Sequence, residues 1–334
     1  MNCQIGNDVS RAAQLLRSGK LVGFATETVY GLGANAFDER AVAGIFEAKE
    51  RPTFDPLIVH LATIDQLPLV ARSIPEAASL LIESYWPGPL TLIFPKTTAV
   101  PDLVTAGLDS VAVRIPSHPL ALELLKVADV PIAAPSANRF GCVSPTTAEH
   151  VAEQLGDRID YILDGGPCSV GLESTIVSLL GAQPTVLRLG GLDVEELEQT
   201  IGHVEMKIAG SDPGNRASES SPQLAPGMLL RHYAPRTPLV VKDSLSAPDL
   251  ADGDALLLSR PVSFSVENHH CEILSMTGDL KECAAGFFSA LRRLDALGPK
   301  RILAEWFPNE GLGRALNDRL RRAAATTSAD SLHL

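Results

Sequence analysis

The feature that most constrains the fold is a pattern that stops and then restarts. From Asp8 to Ile201, short apolar runs of strand length are interspersed with segments whose apolar residues recur at helical spacing. Residues 207–226, KIAGSDPGNRASESSPQLAP, have nothing periodic to bury and read as a linker. Strand-length and helix-length segments resume at Pro238. At 334 residues the chain exceeds the ~100–200 of a usual domain. The expectation is therefore two α/β domains, 1–204 and 237–334, joined through 205–236.

In the first part, strands are predicted at 21–26, 57–62, 90–94, 111–115, 131–135, 160–163, 175–180 and 185–189. Helices fit 8–18, 39–50, 75–85, 118–127, 146–155 and 193–201. The two types interleave without strict alternation, which favours a mixed sheet over a doubly wound parallel one. Beyond the linker, strands fit 238–241, 255–258 and 301–307, with helices at 279–297 and 311–324.

Composition narrows the function classes. A formal charge of −12 argues against strong direct nucleic-acid binding, which relies on many Lys and Arg contacts to phosphates. It leaves room for a local basic pocket that takes an anionic small ligand. No apolar run approaches the ~18 residues of a membrane span, and MNCQIGNDVSRAAQ has no signal-peptide pattern, so no membrane association and a cytoplasmic address are expected. The five cysteines form no CxxC or CxxH spacing, so neither a metal site nor a disulfide framework is indicated. There is no Walker A sequence. GLGANA (31–36) matches G-x-G-x-x-A, but TETVY separates it from the preceding strand, whereas a dinucleotide fingerprint sits at the strand-to-helix turn.

KERPTFDPLIVH (49–60) is the most unusual stretch. Lys49 lies on the last turn of a helix that must end before Pro52, and Arg51 lies just past it. The two could simply complement the helix C-terminus, an effect of ~0.3–1 kcal/mol. Two prolines, Asp55 and a histidine on the next strand point instead to preorganised cations beside a polar group. Alternation places His60 opposite Leu57 and Val59. Neither Lys49 nor Arg51 is expected to belong to the core. Arg114 within VAVRI and Arg188 within TVLRL are costly unless each guanidinium meets an anion; a structural salt bridge is the other reading for both. Ser136 and Asn138 in APSAN, and Ser174 in GLEST, also stand at strand ends, where such residues can merely cap or turn. Together these residues predict a basic, hydroxyl-rich cleft at strand ends.

TETVYGLG (26–33), KERP with DPLIVH (49–60), APSAN (134–138), STIV (174–177) and APGMLLRHYAP (225–235) resemble, in that order, the Sua5/YrdC family of L-threonylcarbamoyladenylate synthases, in its longer Sua5 branch. The resemblance implies a YrdC-like α/β catalytic domain followed by a smaller Rossmann-like Sua5 domain. Between them, Met228, Leu229, Leu230 and Tyr233 with Pro226 and Pro235 give the linker an apolar, stiffened stretch that a free tether would not need; it either docks the second domain or folds over the cleft as a lid. It implies that L-threonine, bicarbonate and ATP with Mg²⁺ become threonylcarbamoyl-AMP and pyrophosphate, for the t6A modification at position 37 of ANN-decoding tRNAs. Downstream threonylcarbamoyl-transferase proteins would accept the product.

The family's K-x-R and S-x-N tetrad falls on Lys49, Arg51, Ser136 and Asn138. By motif position, threonine contacts are implied at Thr28, His60, Arg114, Ala134 and Ser174. Nucleotide contacts are implied at Arg51, Asp55, Ser110, Ser136, Ser144, Arg188, Arg231, His232 and Tyr233. Asp55 stands where Asn is common in the family, and Phe140 where many relatives carry Ser. Two other classes stay open from the residues themselves: a related domain used as an RNA-binding or regulatory module, and a nucleotide-dependent dehydrogenase built on GLGANA.

Overall fold

The computed structural model describes residues 3–208, 225–226 and 233–325. They form two compact units. One takes 3–140, 144–169, 173–208 and 225–226; the other takes 141–143, 170–172 and 233–325.

The first unit is built on one mixed sheet. Its strands are β1 (Gln4–Gly6), β2 (Val22–Phe24), β3 (Gly31–Asn35), β4 (Ile58–His60), β5 (Leu90–Pro95), β6 (Ser110–Arg114), β7 (Ile132–Ala133), β8 (Tyr161–Leu163), β9 (Thr175–Ser178), β10 (Thr185–Arg188) and β11 (Glu205–Met206). They lie in the order β1-β8-β2-β3-β7-β4-β6-β5-β9-β10-β11. Its helices are α1 (Val9–Arg17), α2 (Glu39–Lys49), α3 (Leu67–Val70), α4 (Glu76–Tyr85), α5 (Asp102–Thr105), α6 (Pro119–Ala128), α7 (Ala148–Leu155) and α8 (Val194–Ile201).

Two-residue alternation divides the sheet into faces with different covers. Val59, Leu92, Val113, Val177 and Val186 share the main core with residues of α2, α4, α7 and α8, among them Ile45, Leu81, Val151 and Leu197. On the opposite face, Val22, Phe24, Ile132 and Tyr161 pack beneath α1 and α6. The other half of that face carries a small cluster of Ile58, Ile93, Ala112, Ile176 and Leu187 with Ala225, to which no helix contributes. Among the described residues of this unit, that half also carries Arg114, Ser174 and Arg188.

GLGAN is a strand rather than a phosphate-binding turn. β3 runs antiparallel to both β2 and β7. At Gly33 a Cβ would come 2.9 Å from Ile132 and 3.0 Å from Phe24, so its glycine serves strand packing. This removes the basis for a dinucleotide site there.

The second unit has a parallel sheet of β12 (Leu239–Lys242), β13 (Asp254–Leu258), β14 (His270–Ile273) and β15 (Arg301–Glu305), ordered β12-β15-β13-β14. It also contains α9 (Leu280–Ala296) and α10 (Leu312–Ala324). Phe287 and Phe288 of α9 are fully buried, and Phe287 packs edge-on against Phe307 at 6.3 Å between ring centres. No described helix is long and apolar enough to cross a membrane.

Candidate active site

Lys49 is positioned by the way α2 begins and ends. Asp38 caps the helix by accepting the N–H groups of Arg40 and Ala41, and Glu50 ends it in the left-handed region at φ 54°. The Lys49 ammonium donates to the Ser136 carbonyl at 2.6 Å and to the Asn138 carbonyl. The Lys49 carbonyl in turn accepts the Phe140 N–H at 3.0 Å. The helix end and the 136–140 loop are thereby stitched together. Arg51 curls onto its own loop: its guanidinium pairs with the Asp55 carboxylate at 2.9 Å and donates to the Asp55 and Pro56 carbonyls at 3.2 and 2.9 Å.

These contacts correct one expectation. Lys49 is 1% exposed and Arg51 7%, so both belong to the interior, where a cation persists only if hydrogen-bonded. The charge of Asp55 is likewise matched within the ion pair with Arg51.

A second group centres on Arg114, at the end of β6. Parallel register sets it beside His60 of β4. Its Nε donates to the Gly88 carbonyl at 3.0 Å, Nη1 to the Thr28 hydroxyl at 2.8 Å, and Nη2 to the Glu27 carboxylate. Burial pushes the Glu27 carboxyl up, but the charge and hydrogen bond of Arg114, together with the backbone N–H groups of Glu27 and Ser117, outweigh it and hold Glu27 below its usual value. His60 is pushed down to about 3, by burial first and then by the Arg114 charge, so the ring is neutral at physiological pH. The Phe24 ring stands edge-on to it at 6.0 Å. The backbone N–H of Ala134 donates to the Ile58 carbonyl at 2.9 Å, placing that buried residue alongside β4.

The third group joins β5, β9 and β10. The Ser174 hydroxyl lies 2.7 Å from the Thr91 hydroxyl, and Arg188 donates to the Ser174 hydroxyl and carbonyl at 3.0 and 2.9 Å. Arg188 Nη1 reaches the Pro226 carbonyl at 3.2 Å, so the described pair Ala225 and Pro226 lies on this same face. Next to Ser174, Glu173 accepts the buried Ser144 hydroxyl at 2.5 Å.

Ser110 opens β6 and is half-buried opposite Pro95. Arg231 and His232 lie outside the described residues. Tyr233 belongs to the second unit, where it adopts φ 64° and its ring packs 5.7 Å from Phe288, with the Arg319 guanidinium 4.9 Å from its centre.

Within the site, His60, Arg114 and Arg188 are the last residues of β4, β6 and β10, and Ser174 immediately precedes β9, whereas Ser110 stands at the other end of β6. Three polar residues of the site were not singled out from the sequence: Glu27, Thr91 and Glu173, all buried. Glu27 and Glu173 each stand next to a hydroxyl residue in a stretch that flanks a strand, TETVY and GLEST, and that adjacency was the available signal. Among the described residues, no group of three or more His, Cys, Asp or Glu is arranged to hold a metal ion.

Buried cations, hydroxyls and one neutral imidazole on a sheet face define an α/β protein built to take a small, charged ligand. The comparisons give the family. The family model described as "Telomere recombination", for Sua5, YciO and YrdC, matches residues 14–190, and the model for the threonylcarbamoyl-AMP synthase C-terminal domain matches residues 192–325. A Pyrococcus abyssi threonylcarbamoyl-AMP synthase is 44% identical over 94% of this chain and 93% of its own length. A Bacillus subtilis protein of the same name is 42% identical over 95% and 92%. The solved structure of Pyrococcus abyssi Sua5 with L-threonine superposes with a TM-score of 0.88 at 42% identity, covering 97% of this chain and 98% of that one. This chain belongs to the Sua5/YrdC family, in its two-domain Sua5 form.

Proposed function

We propose that the chain makes threonylcarbamoyl-AMP and pyrophosphate from L-threonine, bicarbonate and ATP, for the t6A modification at position 37 of ANN-decoding tRNAs. The observation that carries this reading is the buried face linking Thr28, His60, Arg114, Ser174 and Arg188, in a chain that matches a threonine-bound relative along almost its whole length.

In the first step, the neutral amine of threonine attacks the bicarbonate carbon. A C–N bond forms, water leaves, and an N-carboxylate results. One oxygen of that carboxylate then attacks the α-phosphorus of ATP, and the bond to the bridging oxygen breaks to release pyrophosphate. Negative charge is concentrated at every stage, so fixed cations stabilise the transition states without reorganising. We assign this role to Lys49 and Arg51, with Ser136 and Asn138 completing the loop that holds Lys49. Arg114 receives the threonine carboxylate, a planar acceptor suited to a guanidinium fork. Thr28, His60, Ala134 and Ser174 form the rest of the amino-acid pocket.

Ser110, Ser144, Arg188 and the Arg51–Asp55 pair would serve the nucleotide, with Arg231, His232 and Tyr233 of the linker as further contacts. Mg²⁺ would enter on the triphosphate, as it usually does at ATP sites. Residues 1–204 are read as the catalytic domain and 237–334 as the Sua5 domain. Segment 205–236, most of which lies outside the described residues, is read as a cover for the face, a reading supported by Ala225 and Pro226. Such a cover would protect a hydrolysable mixed anhydride from water. The reading also places the protein in the cytoplasm, handing its product to threonylcarbamoyl-transferase proteins. Mass spectrometry of a reaction with all three substrates should detect threonylcarbamoyl-AMP; ATP turnover without that product would overturn the assignment.

A further inference from the structure

Glu27 has no role in the reaction as set out above, yet it is among the most constrained groups on the face. Its side chain is 6% exposed and paired with Arg114, whose side chain is 3% exposed. Only Oε1 is engaged by that pair. The backbone N–H groups of Glu27 and Ser117 lie near the carboxylate, but Oε2 is buried without a hydrogen bond of normal geometry among the described residues, and the same is true of Nδ1 of His60, which sits beside Arg114 in the register.

Arg114 completes the inventory. A guanidinium carries five N–H donors, and three of those on Arg114 are committed, to Gly88, Thr28 and Glu27. The other two, one on each terminal nitrogen, have no partner among the described residues. A buried carboxylate oxygen without a partner is expensive and calls for an explanation. Here the unmatched groups form a set: two cationic donors, one anionic acceptor and a neutral imidazole nitrogen. Their complement is a molecule carrying a carboxylate and an ammonium a few ångströms apart, which is the zwitterion of an α-amino acid.

We propose that Glu27 is a specificity-determining residue that accepts a hydrogen bond from the substrate's α-ammonium while Arg114 takes its carboxylate. This rests on the amino-acid substrate proposed above and adds the group that reads its amine. Glu27 stays ionised throughout; the ammonium gives one proton to solvent before the attack, and the neutral amine still donates one N–H to Oε2, which orients its lone pair away from Glu27. Because Glu27 also fixes Arg114, a purely structural role must be separable from substrate reading in the test.

The test is calorimetric titration of wild type, Glu27→Gln and Glu27→Asp with L-threonine and with 3-hydroxybutyrate, its des-amino analogue. Titration with ATP alone and urea unfolding report on the integrity of each variant. Wild type should bind threonine at least ~10-fold more tightly than the analogue, the scale of one hydrogen bond to a charged group. Glu27→Gln keeps an oxygen for Arg114 but loses the charge. It should lose that preference, binding threonine at least ~10-fold more weakly and the analogue as before, and Glu27→Asp should recover part of it.

Unchanged threonine affinity in a folded Glu27→Gln variant would overturn the proposal. Equal losses for both ligands would also overturn it, because Glu27 would then act only through Arg114. If Glu27→Gln does not fold, equal wild-type affinities for threonine and its analogue would still overturn it. Wild type that binds ATP but no threonine would instead remove the substrate reading itself.

Discussion

At the scale of single residues, the buried state of the two cations changes what their removal should do. Lys49 is the donor shared by the Ser136 and Asn138 carbonyls, and Arg51 holds Asp55 and Pro56. Lys49→Ala and Arg51→Ala should each lower kcat/KM for pyrophosphate release by ~100-fold or more, the scale of losing a preorganised charge stabiliser. They should also lower stability by ~1–3 kcal/mol, because acceptors or an anion lose their buried partner. Urea unfolding beside the kinetic assay separates the two effects.

His60 makes a different prediction. Its folded pKa of about 3 lies below the unfolded value of about 6.5, so between those values the unfolded chain binds the extra proton. The His60 contribution to stability is therefore complete above pH ~6.5 and is lost as pH falls toward 3. Thermal unfolding across that window should show a shallower decline for His60→Asn than for wild type. Parallel curves would mean that His60 is not buried and neutral.

At the scale of elements, the sheet positions the site through close approaches that tolerate little added volume. A Cβ on Gly190, just past β10, would lie 2.2 Å from the Glu173 carbonyl and 2.5 Å from backbone atoms of Ser174 and Thr175. Gly190→Ala must therefore displace the start of β9 and move Ser174 relative to Arg188. We expect a raised KM for threonine together with a lower unfolding midpoint, measured by steady-state kinetics and urea titration. An unchanged KM would show that the Ser174 position is not critical.

The elements themselves were largely legible in the sequence. Eight strands of the first unit and its six longer helices appear where apolar periodicity put them, because each has a face to bury. β3 was missed because GLGAN lacks β-branched residues and its glycines pack where side chains would not fit. β1, β11 and β14 are short and substantially exposed, so burial left little trace in their sequence. The site residues were legible as polar interruptions of apolar strands. Their arrangement across one face was not, because strand order and register arise from long-range pairing that no local pattern encodes. Glu27 and Glu173 were missed for a related reason, since their partners Arg114 and Ser144 are distant in sequence.

At the scale of the whole molecule, function follows from an asymmetry of cover in the first unit. One sheet face is packed against α2, α4, α7 and α8, while half of the other carries, among the described residues of this unit, a small apolar cluster and a band of buried polar groups. That band combines cations, hydroxyls and a neutral imidazole, as a reaction that gathers an amino acid, bicarbonate and a triphosphate requires. The second unit has its own parallel sheet and an apolar cluster of Leu245, Leu256, Leu258 and Leu303. The central claim is that the three substrates react on a single face. Pyrophosphate release should be followed with ATP, L-threonine and bicarbonate together, and again with each of the latter two omitted in carbonate-depleted buffer. The account predicts rapid release only when all three are present, and a fall to background when either threonine or bicarbonate is left out; release that persists without threonine or without bicarbonate would contradict it.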